Sequence, residues 1–383
     1  MKELMFKTKN KLKHFFTTPS GKTFLNSLIA IGVGLLIGFS VMFVSKPLNS
    51  FRGFGRLLTG AFALGLQSVG NVFFEAAPLI LTGLAFAFAA RTGLFNIGGS
   101  GQFMIGGIAA LYVANLVKLP IGLHFIACVI AAVLAGGLWG AISGALKSLF
   151  NVSEVISTIM LNYIGMYLSV ILAKNPKVYD SGITAVSLIH PTANTPVLGL
   201  NKLFPYSNID ISIFIAIGAA ILIAFILNKT TLGYQLKAVG YSVDGSKYAG
   251  ISYKRNVVIA MFIAGSLAGL GAAMAYLAVK PVYFSVTTKI VNQGFDGLSV
   301  ALLANNNPIG IIFSGIFISY LKSGASAMQL AGYDREIANI VIAAIIYMAA
   351  LSSFFGMVYQ KIKVSKALRK EEHQELESGE KNG

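Results

Sequence analysis

The sequence is poor in the residues that most catalytic and metal sites need. It holds one cysteine, four histidines and fourteen acidic residues in 383, and five of those acids (Glu371, Glu372, Glu375, Glu377 and Glu380) fall in the last thirteen positions. The single Cys128 lies inside an apolar run and excludes an intrachain disulfide. His14, His124, His190 and His373 are scattered, with no metal-ligand spacing between them. Charged residues make up 11% of the chain, against about 25% in ordinary soluble domains. No Walker sequence occurs. Gly21-Lys22-Thr23 looks like the end of one, but Phe16 stands where the pattern needs its first glycine. With the charge-poor body also set against a Ser/His/Asp arrangement, no enzyme constellation survives.

What is abundant is hydrophobic: 55% of residues, with a mean hydropathy of +0.73. The chain reads as an all-α polytopic membrane protein. Its net charge of +16 would suggest nucleic acid in a soluble protein, but the bases flank apolar spans and act as topology signals, so no nucleic-acid partner is expected. A cytoplasmic basic N-terminus (1–23) precedes a transmembrane domain (24–355) and a charged cytoplasmic tail (356–383). The first apolar run, Phe24 to Val44, is too long for a signal-peptide core and lacks an Ala-x-Ala site, which makes it a retained span.

Two stretches organise the rest. Arg91 to Gln102 carries Gly93, Gly98, Gly99 and Gly101 with Asn96 and Gln102, between the apolar runs Asn71–Ala90 and Phe103–Val117. Asn292 to Gly297 carries Gly294, Gly297 and Asp296, and Asn305-Asn306-Asn307-Pro308 follows. Both read as breaks in helices. Non-helical backbone at membrane depth is tolerated where protein or a watery cavity satisfies it, and two such breaks in corresponding halves point to a transporter's substrate passage. Glycine-rich loops between helices are the plainer alternative.

Spans are expected at about Phe24–Ser45, Asn71–Ala90, Phe103–Val117, Ile121–Leu149, Glu154–Ala173, Ile211–Leu227, Val257–Val279, Phe295–Ala304, Ile309–Leu321 and Ile337–Phe355. That makes about ten transmembrane helices with both termini inside. The halves Asn71–Ala173 and Val257–Phe355 would then be inverted repeats. Gly136, Gly140 and Gly144, and Gly265 with Gly269, form small-xxx-small faces for close helix packing. Lysines at Lys2–Lys22, Lys229–Arg255 and Lys361–Lys370 mark the cytoplasmic side, and Lys174–Asp210 is a long outer loop.

Candidate passage residues are Phe74, Glu75, Asn96, Gln102, Asn162, Phe295 and Asp296. Acids inside a membrane are functional-site candidates by default, and each is also read as a structural hydrogen-bond partner. The phenylalanines are candidates for stacking on a flat ligand, with lipid or core contact as the competing reading. On the inner loop, Ser242 is placed to cap a short helix and Gly250 to end it. Such a helix suits docking into a partner's groove. A solvated basic loop fits as well.

These motifs carry a resemblance. Leu94-Phe95-Asn96-Ile97-Gly98 to Gly101-Gln102, Glu154 to Asn162, Ala238-Val239-Gly240 to Tyr248-Ala249-Gly250-Ile251, and Gly294-Phe295-Asp296-Gly297 to Leu303 with Asn307-Pro308 are similar to permease subunits of ABC importers. The branch is the ribose, simple-sugar and nucleoside one, closest to nucleoside-uptake permeases. The resemblance covers about Asn71 to Phe355. It implies a multi-pass plasma-membrane importer subunit without its own cofactor, with ATP-Mg on a partner ATP-binding cassette subunit. It also implies a second permease subunit, homologous or identical, and an extracellular substrate-binding lipoprotein. It assigns ATPase coupling to the loop of Gly240, Ser242, Ala249 and Gly250. Ser100 stands where the family usually has Glu, so no role of that acid transfers. An ion-coupled secondary transporter of small polar solutes, using Glu75 and Asp296, is the alternative.

Overall fold

The computed structural model describes residues 19–182, 184–186, 190–279, 283–334, 336–348 and 351. The P-loop-like side chains, the basic N-terminus and the charged tail lie outside the residues whose side chains are described. The described residues fall into two compact units, one drawn from Met1–Ser50 and Asn339–Gly383, the other spanning Phe51–Ala338.

In the first unit, α1 (Pro19–Ser45) carries Gly34 and Gly38 one turn apart. A Cβ at Gly34 would overlap the backbone of Ile345, and one at Gly38 would sit 2.5 Å from Val341 Cγ1. Both partners lie on the helix Glu336–Met348, the last in the described chain. Small residues let these two helices approach almost backbone to backbone.

The second unit is a helical bundle. An amphipathic helix, α2 (Ser50–Thr59), leads to α3 (Leu66–Arg91), which is apolar on all sides and buried along most of its length. That all-round pattern marks a helix at the centre of its bundle. Then come α4 (Gly99–Leu116), α5 (Leu123–Phe150) and α6 (Glu154–Ala173). Next are α7 (Ser212–Lys229), α8 (Thr231–Tyr241), α9 (Val243–Tyr248) and α10 (Tyr253–Tyr276). Two more, α11 (Gln293–Leu303) and α12 (Pro308–Met328), complete the unit, and the helix shared with the first unit is α13.

The tightest pairing is α5 with α10. A Cβ at Gly136 would lie 2.5 Å from the Gly265 carbonyl oxygen, and additions at Gly140, Gly265 or Gly269 would overlap facing backbone. The small-residue faces seen in the sequence therefore meet each other. On one end of the bundle the long loop supplies β1 (Tyr179–Asp180) and β2 (Ala185–Val186), and the segment after α10 adds β3 (Phe284–Ser285), forming a three-stranded antiparallel sheet in that order. Phe284 and Val186 join Phe103, Met104, Leu111, Met166 and Tyr276 in one apolar cluster beneath it.

Six helices are long and apolar enough to cross a membrane among the described residues: α3, α5, α6, α7, α10 and α12, the last taken to Ala331. The chain is thus an all-α multi-pass protein. Of the other expected spans, α11 has only 11 residues, and α4 opens with four polar or glycine positions, Gly99 to Gln102, that dilute its apolar run. The stretches Ile29–Ser45 and Glu336–Met348 are shorter apolar helices.

Candidate functional site

The first break is shorter than the sequence pattern suggests. α3 ends at Arg91, where Thr92 Oγ1 donates to the Ala89 carbonyl at 2.7 Å. Gly93 adopts a φ of +76°, which glycine takes without strain, and the Leu94 amide returns to the Ala89 carbonyl at 3.0 Å. Leu94 to Ile97 run without helical hydrogen bonds, Gly98 caps the next helix, and α4 begins at Gly99.

Three buried amides hold this break. Asn96 Oδ1 accepts from the Gly98 amide at 3.0 Å. The side chains of Asn96 and Gln102 donate to each other at 3.1 and 3.3 Å. Asn162, from α6, accepts from the Gly101 amide at 2.8 Å and donates to the Ile97 carbonyl at 3.0 Å. A non-helical stretch inside a bundle leaves backbone groups that need partners, and these amides supply them. The sequence-predicted Asn96, Gln102 and Asn162 are thus brought into one network. Ser100 Oγ beside them is buried with no partner among the described residues.

The second break lies elsewhere than expected. Gly294 to Gly297 form the first turn of α11, after the Asn292 cap, and not an interruption. Their glycines serve close approach. A Cβ at Gly294 would overlap the Ser100 backbone, and one at Gly297 would lie 2.5 Å from the Thr82 carbonyl carbon on α3. The irregular backbone flanks this short helix: residues 286–292 before it, and Asn305 and Asn306 after it with φ of 51° and 55°. Asn307 then caps α12, accepting from the amides of Ile309 and Gly310. The amino ends of α4 and α11 therefore meet inside the bundle, from the two breaks. Arg91, at the end of α3, ties that end to the turn after α11, donating to the Asn306 and Asn305 carbonyls at 3.0 and 3.4 Å.

Asp296 and Phe295 share this first turn. Asp296 forms an ion pair with Lys322 of α12, and Phe295 is exposed. Phe74 is buried and Glu75 exposed on α3, about 12 Å along the helix from the Thr82 contact. Lys322 was missed in the sequence because the reading ended its span at Leu321, which made the lysine a flanking residue. A lone lysine six residues before the end of an apolar helix is a usable signal.

The inner loop folds as its caps dictate. Thr230 accepts from the Gly233 amide at 3.1 Å to start α8, and Ser242 from the Gly245 amide at 3.1 Å to start α9. Gly250 follows with a φ of +73°. Tyr241 and Tyr248 stand almost fully exposed on either side of α9. Gly240 reaches the first break: a Cβ there would lie 2.7 Å from the Thr92 carbonyl carbon, and one at Gly93 would lie 2.7 Å from Gly240 Cα.

Residues 68–350 match the family described as branched-chain amino acid transport system / permease component. The chain belongs to this permease family. Among curated relatives, the permease is 39% identical over 337 residues to the guanosine ABC transporter permease protein NupP of Bacillus subtilis, covering 88% of this chain and 95% of the relative. It is 37% identical over 345 residues to the nucleoside ABC transporter permease protein NupB of Lactococcus lactis, covering 89% and 94%. A further match is the guanosine ABC transporter permease protein NupQ of Bacillus subtilis, at 26% over 304 residues, 74% of this chain and 89% of the relative. No solved structure gives a significant match. As a permease component, the chain is a transport subunit and not an enzyme.

Proposed function

We propose that this permease is the transmembrane subunit of an ABC importer that moves nucleosides into the cell. The observation that carries the reading is similarity, over nearly the whole length of both chains, to two permeases named for guanosine and nucleoside transport. ATP-Mg is bound and hydrolysed by a separate cassette subunit, and an extracellular lipoprotein delivers substrate. A second, homologous permease completes the pore. What supports it is that the chain matches two nucleoside permeases in one organism at very different levels, 39% and 26%. In the membrane the chain makes about ten spans with both termini cytoplasmic, a reading that rests on the lysine asymmetry.

The passage runs past the meeting ends of α4 and α11. Their first turns carry Phe295 and Asp296, while Asn96, Gln102 and Asn162 hold the break rigid from behind. Phe74 and Glu75 line the same path farther along α3. The cassette subunit grips α8 and α9 through Gly240, Ser242, Ala249 and Gly250. Because Gly240 abuts Gly93, a push on α8 reaches the break directly, without an intervening flexible side chain.

The test is uptake of labelled nucleoside by cells that depend on this chain. Asn96→Ala, Gln102→Ala and Asp296→Ala are expected to impair uptake with the chain still in the membrane. Normal uptake by all three places the passage elsewhere. Cysteines in the 174–210 loop should label from outside in intact cells, and Ser242→Cys should not.

A further inference from the structure

Lys322 is the fifteenth residue of α12, about 21 Å from that helix's first residue. An ammonium at that depth needs a partner and water. Asp296, in the first turn of α11, is the partner. The pair is not sealed, since 29% of the lysine side chain and 27% of the aspartate remain accessible. A half-open ion pair is ill suited to acyl chains, and its open side fits an aqueous path. Phe295, 37% exposed, and the exposed Asn292 and Gln293 stand on the same turn. Holding α11 against α12 does not account for the charges, because well-packed apolar residues often replace such a pair without loss of stability.

The ammonium has three N–H groups and directs one toward Asp296; the carboxylate keeps free lone pairs. The pair thus presents a donor beside an acceptor with no net charge. Its complement is a neutral ligand with an acceptor next to a donor on one flat edge, and a ring that stacks on Phe295. A 6-oxopurine base has that edge, a carbonyl oxygen beside a ring N–H. We infer that Lys322 and Asp296 read the base edge of the nucleoside in the passage, Lys322 donating to the carbonyl and Asp296 accepting from the ring N–H. This rests on the nucleoside reading above and goes beyond it, by naming the part of the substrate that the permease selects.

The test compares inosine with purine riboside, which lacks both the carbonyl and the ring N–H. The transporter is assembled with its own partner subunits in proteoliposomes, and uptake kcat/KM is measured for both. The binding protein's preference is common to every permease variant, so a change in the ratio belongs to the permease. Lys322→Met and Asp296→Asn are expected to lower the inosine-to-purine riboside ratio about tenfold or more, through loss of the inosine value. Lys322→Arg, which keeps the donors, should retain most of it. Should Lys322→Met fail to reach the membrane, Asp296→Asn and Lys322→Arg carry the comparison. An equal fall for both substrates, cured by the Asp296→Lys/Lys322→Asp swap, assigns the pair a structural role and overturns the inference alone. Normal uptake of both substrates by every variant overturns the passage reading with it. Loss of the second permease on purification would place the pair at a subunit interface and also overturn it.

Discussion

Gly93 and Gly240 touch backbone to backbone, linking the inner loop to the first break. A methyl group at position 240 would have to fit 2.7 Å from the Thr92 carbonyl carbon and 2.9 Å from the Gly93 amide nitrogen. Backbone cannot yield as a flexible side chain does. Gly240→Ala is therefore expected to cost about 1–3 kcal/mol of overpacking, lowering the unfolding midpoint of the purified protein and cutting ATP-driven uptake several-fold. Unchanged values for both would show that α8 and the break move independently.

Asn162 offers a cleaner test of the break. Removing its side chain leaves the Gly101 amide and the Ile97 carbonyl without their partners, at about 1–3 kcal/mol for each group. Asn162→Ala should lower the denaturation midpoint and uptake together. Asn162→Asp keeps the acceptor for Gly101 but sets a buried carboxylate oxygen against the Ile97 carbonyl, so it should fall at least as far as alanine.

The α5–α10 contact tolerates no added volume. Gly265→Val should destabilise the purified chain strongly, because its Cβ alone overlaps the Gly136 carbonyl. Gly218 of α7 has nothing within 4 Å of an added Cβ. Gly218→Ala should be neutral or stabilising by up to about 1 kcal/mol. Thermal unfolding in detergent compares the two.

Much of this architecture is legible in the sequence. The span Glu154–Ala173 coincides with α6, because Ser153 and Glu154 start it and a polar, proline-containing loop ends it. The glycine faces of α5 and α10, the Ser242 cap and the Gly250 stop appear where their chemistry requires. The first turn of α11 was misread for a physical reason: glycine signals both backbone freedom and close approach, and only the neighbour, Ser100 or Thr82, tells which. Lys322 was hidden because hydropathy alone sets span ends too early when a charge lies inside one. The three short strands carry too few residues for an alternating pattern, and β3 lies about 100 residues after β2, so no local signal announces them.

Asp210 carries a pH dependence. Burial pushes its carboxyl up from 3.8 to about 6. Its Oδ1 accepts from the Ser212 amide at 2.9 Å, while Oδ2 has no hydrogen-bond partner among the described residues. The folded form then holds the proton more tightly than the unfolded form. Its favourable contribution is complete below about pH 4 and is lost as pH rises through 6, roughly 3 kcal/mol in all. Asp210→Asn, which cannot ionise, should flatten stability between pH 4 and 7 relative to wild type. An unchanged slope in denaturation midpoints would show that the carboxyl is solvated.

On the proposed function, nucleosides cross this permease at the expense of ATP hydrolysed by a separate subunit. The most direct measurement is accumulation of labelled nucleoside in proteoliposomes holding the permease pair, the cassette subunit and the binding lipoprotein. Accumulation should require ATP-Mg, vanish with a hydrolysis-dead cassette subunit, and persist when ionophores collapse all ion gradients. Uptake that continues without the cassette subunit and stops with the ion gradient would contradict it, and would make Glu75 and Asp296 the coupling acids of a secondary transporter.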